Sequence, residues 1–138
     1  MAYWLFKTEP DTWSWDQQAR KKGAEPWNGV RNHQAANNMK AMRKGELGFF
    51  YHSGEERRIV GVVEVTREYH PDPTDETGRF GMVEVTAREA FKTPVSLAEI
   101  KADPRFKDMT LVKFSRLSVQ PVSPEHWKAL CKMGGVKA

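Results

Sequence analysis

The chain has 138 residues, of which 39% are hydrophobic and 29% are charged. This composition predicts one globular domain over residues 1–138, large enough to bury a core without disulfides, and it excludes a disordered chain. The single cysteine, Cys131, cannot form an intramolecular disulfide, and no apolar run reaches the ~18–20 residues of a membrane span. We therefore expect a soluble cytoplasmic monomer with no targeting segment and no membrane partner.

The net charge of +4 is distributed unevenly along the chain. Residues 1–45 carry eight Lys or Arg against four Asp or Glu, and residues 91–138 carry nine against four. Between them, residues 46–90 carry five against ten. If the two basic ends meet in the fold, they form one face suited to a polyanion; otherwise the charges only solvate separate surfaces.

Five segments rich in aromatic and β-branched residues predict strands. They cover residues 3–8, 47–53, 59–66, 82–86 and 114–122. The first is apolar on both faces for four residues, which is typical of a central strand. The last alternates, which puts Arg116, Ser118 and Gln120 on a face predicted to be accessible. Residues 70–78 contain two prolines and three acids and predict a loop.

Short helices, predicted from their N-cap residues, separate these strands. The predicted caps are Ser14 with Gln17, Asn32, Ser96 with Glu99, and Ser123 before Pro124. They predict helices over residues 15–22, from Asn32 to about Lys44-Gly45, from Ser96 to about Ala102, and from Pro124 to Gly134-Gly135. Closure of a short-stranded sheet removes exposed strand edges. We therefore predict an α+β fold, a mostly antiparallel β-barrel of about five to six strands decorated with short helices.

Residues 27–38 combine a tryptophan, a turn dipeptide, a cation and several amides just before a helical pattern. Asn28-Gly29 predicts a tight turn, and Asn32 stands where a helix N-cap belongs. Trp27, Arg31 and the helix N-terminus would then converge on a point suited to a polar or anionic planar ligand. The alternative is that Trp27 belongs to the core and Asn32 only caps the helix.

Motifs of catalysis are missing from the chain. It contains no nucleophile elbow, P-loop, dinucleotide fingerprint or zinc-protease motif, and its four histidines are scattered. We therefore predict no catalytic residue, no metal site and no cofactor. Aromatic residues interleaved with cations and amides instead favour recognition of bases and phosphates. Among them we assign Trp4, Phe6, Phe49 and Trp127 to the core, and Trp15 and Trp27 to a binding site.

Six segments, taken together, resemble the EVE domain family of the PUA-like superfamily. They are Tyr3–Pro10, Trp27–Asn32, Phe49–Ser53, Tyr69–Asp72, Pro94–Leu97 and Arg116–Pro121. They occur in the family's order and run almost from end to end of the chain. One position departs from the pattern, since Ala36 stands where the family commonly has arginine. This departure removes one candidate phosphate contact.

The resemblance implies a PUA-like barrel related to the YTH domains, and a reader of modified bases in DNA, such as modified cytosines. It implies a pocket for a flipped base, to which we add Trp15 from its chemistry. The predicted pocket residues are Thr8, Glu9, Trp15, Trp27, Asn32, His52, Ser53, Leu117 and Ser118. The predicted phosphate contacts are Lys7, Arg31, Lys40 and Arg116.

The sequence thus predicts a non-catalytic module that takes a modified base, most plainly a modified cytosine in DNA, into an aromatic-lined pocket. Two alternatives stay open. One is a general RNA-binding PUA-like domain that uses the basic face without modification specificity. The other is an enzyme acting on a nucleobase or nucleotide, with Glu9 or His52 as the general base.

Overall fold

The computed structural model describes all 138 residues and contains six strands and five α-helices. The strands are β1 Tyr3–Thr8, β2 Glu25–Pro26, β3 Leu47–His52, β4 Arg58–Pro71, β5 Gly81–Ser96 and β6 Val119–Val122. The helices are α1 Trp15–Arg20, α2 His33–Ala41, α3 Leu97–Ala102, α4 Thr110–Lys113 and α5 Pro124–Gly134, with a 3-10 turn at Pro104–Phe106. No helix is long and apolar enough to cross a membrane.

All six strands form one mixed sheet in the order β2-β5-β4-β3-β1-β6. The pair β1–β3 is parallel and every other pair is antiparallel, so the mostly antiparallel α+β prediction is confirmed. Strand β1 lies inside the sheet, as its unbroken apolar run predicts. Each face of the sheet packs against its own hydrophobic core. Leu5 lies in one core and Trp4 and Phe6 lie in the other, because successive strand residues face opposite sides.

The predicted closure into a barrel is not confirmed, because β2 and β6 do not pair and the sheet stays open. Helix α2 packs against β4, β5 and β6. Its Asn38 donates a side-chain hydrogen bond of 2.7 Å to the Val119 carbonyl of β6. Helix α2 thus joins the edge strand β6 to β4 and β5, while β2, which has only two residues, and β6 stay unpaired with each other.

The predicted caps are confirmed. Ser14 with Gln17 and Ser96 with Glu99 each form both bonds of a capping box. The side chain of Asn32 accepts a hydrogen bond of 2.9 Å from the Ala35 amide. Ser123 caps the start of α5, as predicted, and Gly135, with φ of 72°, caps its end.

The predicted strand over residues 114–122 is wrong in its first half, since β6 begins only at Val119. The fully buried side chain of Gln120 donates to the carbonyls of Phe114 and Leu117, at 3.1 and 2.8 Å. Those bonds hold residues 114–118 in a turn. Strands β4 and β5 extend beyond the predicted 59–66 and 82–86, and the predicted 70–78 loop begins only after Pro71.

Gly61 of β4 lies under the Trp15 ring, and a methyl group at this position would stand 2.5 Å from a ring carbon. Trp15 also contacts Phe50 edge to face at 5.3 Å, which restricts its movement. We expect Gly61→Ala to lower the free energy of unfolding by about 1–3 kcal/mol through overpacking, measured by urea denaturation. In a Trp15→Leu background the same change should cost clearly less, and an equal cost in both backgrounds would contradict the clash.

Candidate nucleic-acid interface

An open cavity of about 340 Å³ lies on the side where the sheet fails to close, and we call it the edge cavity. Its walls come from the end of β1, the segment leading to α1, β2, the turn before α2, and the residue before β6. The lining residues are Lys7, Thr8, Thr12, Trp13, Glu25, Pro26, Trp27, Asn28, Gly29, Val30, Arg31 and Ser118. The predicted site residues Lys7, Thr8, Trp27, Arg31 and Ser118 are therefore brought together here.

Trp27 is both a core residue and a cavity wall. It is only 8% exposed and packs edge to face against Phe6 and Phe50, with ring centroids 5.2 and 5.8 Å apart. Its amide donates to the Val83 carbonyl at 2.8 Å, which extends the pairing of β2 with β5. Core packing thus fixes the ring, and only a narrow part of it borders the edge cavity.

Trp13 is the second tryptophan of the edge cavity, and it is half-buried. Its indole nitrogen donates to the Gln18 side chain at 2.9 Å, and Gln18 is itself buried. Thr8 donates its hydroxyl to the Trp13 carbonyl at 3.0 Å. An aromatic face is therefore held at the rim of the edge cavity by the end of β1 and by helix α1.

Glu25 places a carboxylate in the same cavity. Its Oε1 accepts a hydrogen bond of 2.6 Å from Lys21, and this ion pair leaves Oε2 as the oxygen that can accept from a ligand. Glu25 and Trp27 are two residues apart on an extended segment, so they point to the same side. The Ser118 hydroxyl and the Asn28 side-chain amide add groups that donate hydrogen bonds, and the Thr8 oxygen, whose proton goes to the Trp13 carbonyl, adds an acceptor.

Lys7 ties the end of β1 to residues 114–118. Its ammonium group donates to the Ser115 carbonyl at 2.6 Å, and its backbone amide donates to the Ser118 carbonyl at 2.8 Å. Burial lowers the pKa of the Lys7 side chain from its ordinary value. Its first role in the fold is therefore to position the turn that carries Ser118.

Arg31 and Asp72 form the clamp that fixes the turn before α2. The Asp72 carboxylate is buried and accepts hydrogen bonds from the Gly29 amide at 2.9 Å and from Arg31 at 3.1 Å. Thr74 donates to it through its amide and its hydroxyl, at 2.8 and 2.6 Å. Burial acts to raise the pKa of Asp72, but the hydrogen bonds, led by the Thr74 hydroxyl, outweigh it and lower the pKa to about 2.

A second cavity adjoins the edge cavity, and we call it the adjoining cavity. It is lined by Asn32, Gln34, Phe114, Ser115, Arg116 and Leu117. Arg31 lines the edge cavity, and the next residue, Asn32, lines the adjoining cavity. In the same way Leu117 lines the adjoining cavity and Ser118 the edge cavity, so the two cavities lie next to each other along both segments. The predicted residues Asn32, Arg116 and Leu117 thus lie beside the edge cavity. Ala36, at the position of the family's arginine, is buried on α2.

Two predicted pocket residues, Trp15 and His52, lie in the fold rather than in the edge cavity. The Trp15 amide donates to Nε2 of His52 at 3.0 Å, and Nδ1 of His52 lies 3.0 Å from the Glu56 carboxylate. Since Nε2 accepts, the proton of a neutral His52 ring is on Nδ1 and points to Glu56. Both ring nitrogens therefore join the start of α1 to the turn after β3.

The other predicted residues lie elsewhere. Glu9 and Ser53 border a third, acidic depression with Glu55 and Glu56. The ammonium group of Lys40 lies 5.6 Å from the Tyr69 ring centroid, in a fourth depression. No group of three or more His, Cys, Asp or Glu side chains is placed to hold a metal ion.

Trp13, Glu25, Asn28 and Asp72 were not predicted. The two-residue spacing of Glu25 and Trp27 is a sequence signal that could have placed the carboxylate beside the tryptophan. Asp72 ends one of the segments that carry the family resemblance, but its contacts with Gly29 and Arg31 have no local signal, because these partners lie more than forty positions away along the chain.

The open mixed sheet with its helices places the chain in a known fold class. It superposes on the YTH domain of Zygosaccharomyces rouxii MRB1, solved in complex with N6-methyladenosine RNA, with a TM-score of 0.58 over 96% of this chain and 85% of that one. Their sequences are 17% identical, a likeness that shows the fold alone.

The chain belongs to the EVE domain family, whose model matches residues 2–133, and this confirms the resemblance. Human thymocyte nuclear protein 1 is 31% identical over 91% of this chain and 71% of its own length. Its structure in complex with 5-methylcytosine-containing DNA superposes with a TM-score of 0.92 at 29% identity, covering both chains fully. Rpa0253 of Rhodopseudomonas palustris is 55% identical, with a TM-score of 0.93 over 100% of this chain and 96% of that one.

Substitution of Asp72 should loosen the turn that forms the edge cavity. Because its pKa in the folded protein, about 2, lies below the ordinary value of 3.8, ionised Asp72 stabilises the fold above about pH 4. That contribution is lost as the pH falls through 2. We expect Asp72→Asn to lower the free energy of unfolding at pH 7 by about 2–4 kcal/mol, since it leaves Arg31 unpaired.

Urea denaturation at pH 7, 4 and 2.5 measures this effect. The difference in free energy of unfolding between wild type and Asp72→Asn should become smaller toward pH 2.5. Asp108→Asn is the matched control, because Asp108 forms only an exposed pair of 3.4 Å with Lys113. A difference independent of pH would show that the charge of Asp72 is not what stabilises the turn.

Proposed function

We propose that this protein is a non-catalytic nucleic-acid reader that takes a modified cytosine, extruded from DNA, into the edge cavity. Support comes from human thymocyte nuclear protein 1, a relative of the same family and fold whose structure holds 5-methylcytosine-containing DNA. The observation that carries the proposal is the pairing of two tryptophans with one carboxylate in a single open cavity.

The size and lining of the edge cavity suit one planar base. Its volume of about 340 Å³ falls within the range of roughly 300–1,000 Å³ found for small-ligand sites. Trp13 supplies a half-buried aromatic face for stacking, while Trp27, fixed by Phe6 and Phe50, limits the depth of the cavity. Extrusion of a base costs roughly a few kcal/mol, and stacking on such a face offsets part of that cost.

Polar groups in the edge cavity match the edge of cytosine. Cytosine presents an exocyclic amino donor, for which a Glu carboxylate is a suitable acceptor. In our proposal Oε2 of Glu25 accepts from this amino group, while the Ser118 hydroxyl and the Asn28 side-chain amide donate to the ring nitrogen and the carbonyl oxygen. Thymine and uracil carry a carbonyl where cytosine carries the amino group, so Glu25 would repel them.

The cations around the edge cavity differ in their availability for phosphate. The charge of Arg31 is compensated by buried Asp72, and the ammonium group of Lys7 is bound to the Ser115 carbonyl. Arg116 is exposed in the adjoining cavity and takes part in no ion pair. We therefore assign the main backbone contact to Arg116 and a positioning role to Arg31 and Lys7.

The two other hypotheses have less support. An enzyme that used Glu9 or His52 as its base would need those groups at the substrate, yet Glu9 borders a different depression and His52 is bound to Trp15 and Glu56. A general RNA-binding domain would depend on Lys and Arg and bind modified and unmodified strands equally. Salt dependence and modification preference therefore distinguish it from a base reader.

Glu25→Gln tests the assigned contact to the amino group. Loss of a charge-assisted hydrogen bond of about 1.5–3 kcal/mol should weaken binding to a duplex with one 5-methylcytosine by roughly 10- to 150-fold. Isothermal titration calorimetry on oligonucleotides of one sequence measures the change. Glu55→Gln is the matched control, because Glu55 borders the acidic depression instead. Equal affinities of Glu25→Gln and wild type would refute the contact.

The same duplexes test recognition of the modification. Burial of one methyl group contributes about 1 kcal/mol, so wild type should prefer the 5-methylcytosine duplex over the cytosine duplex by roughly fivefold. An RNA of the same sequence is included in the comparison. Equal binding of all three nucleic acids, with a steep dependence on salt, would replace the base reader with the general RNA-binding function.

A further inference from the structure

Phe114 is an apolar side chain that the fold leaves in solvent. It is 60% exposed, and Met1 is the only other large hydrophobic residue of the chain with such exposure. Phe114 follows the last residue of α4 and begins the turn that ends at Ser118. A single exposed aromatic side chain is ordinary on a protein surface, so the case for Phe114 depends on the turn that carries it and on its position beside the edge cavity.

The backbone that carries Phe114 is held firmly. Its carbonyl accepts from the fully buried Gln120 side chain at 3.1 Å, and its amide donates to the Thr110 carbonyl at 2.8 Å. Within the same turn the Ser115 carbonyl accepts from Lys7 at 2.6 Å. An aromatic side chain is thus presented to solvent on a preorganised turn, so little conformational entropy is lost when it binds a partner.

The position of Phe114 relates it directly to the edge cavity. Phe114 lines the adjoining cavity, which shares two walls with the edge cavity through Arg31–Asn32 and Leu117–Ser118. The exposed cation Arg116 stands two residues further along the same turn. An aromatic group, a free cation and a base-sized cavity therefore lie side by side.

We propose that Phe114 is a wedge that enters the base stack next to the extruded cytosine and stacks on the flanking base pair. This inference rests on the proposed function, because a wedge has a role only if a base leaves the duplex. Apolar side chains inserted at a base step offset the unstacking that extrusion requires. Arg116 would hold the adjacent phosphate and set the depth of insertion.

The wedge predicts an effect that depends on whether the target base is already unpaired. For a duplex with one 5-methylcytosine, Phe114→Ala should weaken binding by about 5- to 100-fold, the equivalent of one stacking contact. For the same strand unpaired, where extrusion costs little, the loss should be less than about threefold. Phe114→Tyr keeps the aromatic ring and should bind the duplex as wild type does. Because the site is exposed, both variants should fold normally, which thermal denaturation checks.

Fluorescence anisotropy with both labelled oligonucleotides and all three proteins gives the decisive comparison. An equal loss on duplex and single strand would make Phe114 a stacking platform and overturn the wedge, as would no loss on either. If wild type prefers the modified duplex and Phe114→Ala binds that duplex as tightly as wild type, only the wedge fails. If wild type shows no preference for the modified duplex, the proposed function fails and the wedge fails with it.

Discussion

Asn38 of α2 donates a hydrogen bond to the Val119 carbonyl at the start of β6, and this contact anchors the helix, and with it the turn before it, to the edge strand of the sheet. The edge strands β2 and β6 do not pair, and the edge cavity is lined by residues of β2 and by Ser118, the residue before β6. A closed barrel would have no unpaired side at which two strand ends and the segments before α1 and α2 could surround a ligand. The open edge of the sheet is thus what makes room for the site.

The buried carboxylate of Asp72 acts on the same region from the middle of the chain. It accepts hydrogen bonds from the Gly29 amide and the Arg31 guanidinium. The turn before α2 is therefore fixed by a charge from the acidic middle third of the sequence. The cost of burying this charge is met by four hydrogen bonds, two of them from Thr74. The shape of the edge cavity therefore depends on this buried charge as well as on aromatic packing.

Local signals in the sequence predicted most of the fold, because caps and apolar runs depend on neighbouring residues. Asn32, both capping boxes and the central strand at Tyr3–Thr8 are of this kind. The first half of the predicted strand over residues 114–122 was wrong because the Gln120 side chain folds back on the chain, which alternation cannot reveal. His52 was placed in the pocket by the resemblance and Trp15 by its chemistry, whereas the structure pairs them with each other across 37 positions and packs Trp15 on Gly61. The candidate site needed such long-range contacts to be assembled, and only part of it could be predicted.

The most direct test of a base reader is a crystal structure of the protein with a duplex that contains one 5-methylcytosine. The account predicts that this base has left the duplex and lies in the edge cavity beside Trp13, with its amino group within hydrogen-bond distance of Glu25. A duplex with every base stacked, bound through a surface that leaves the edge cavity empty, would contradict it.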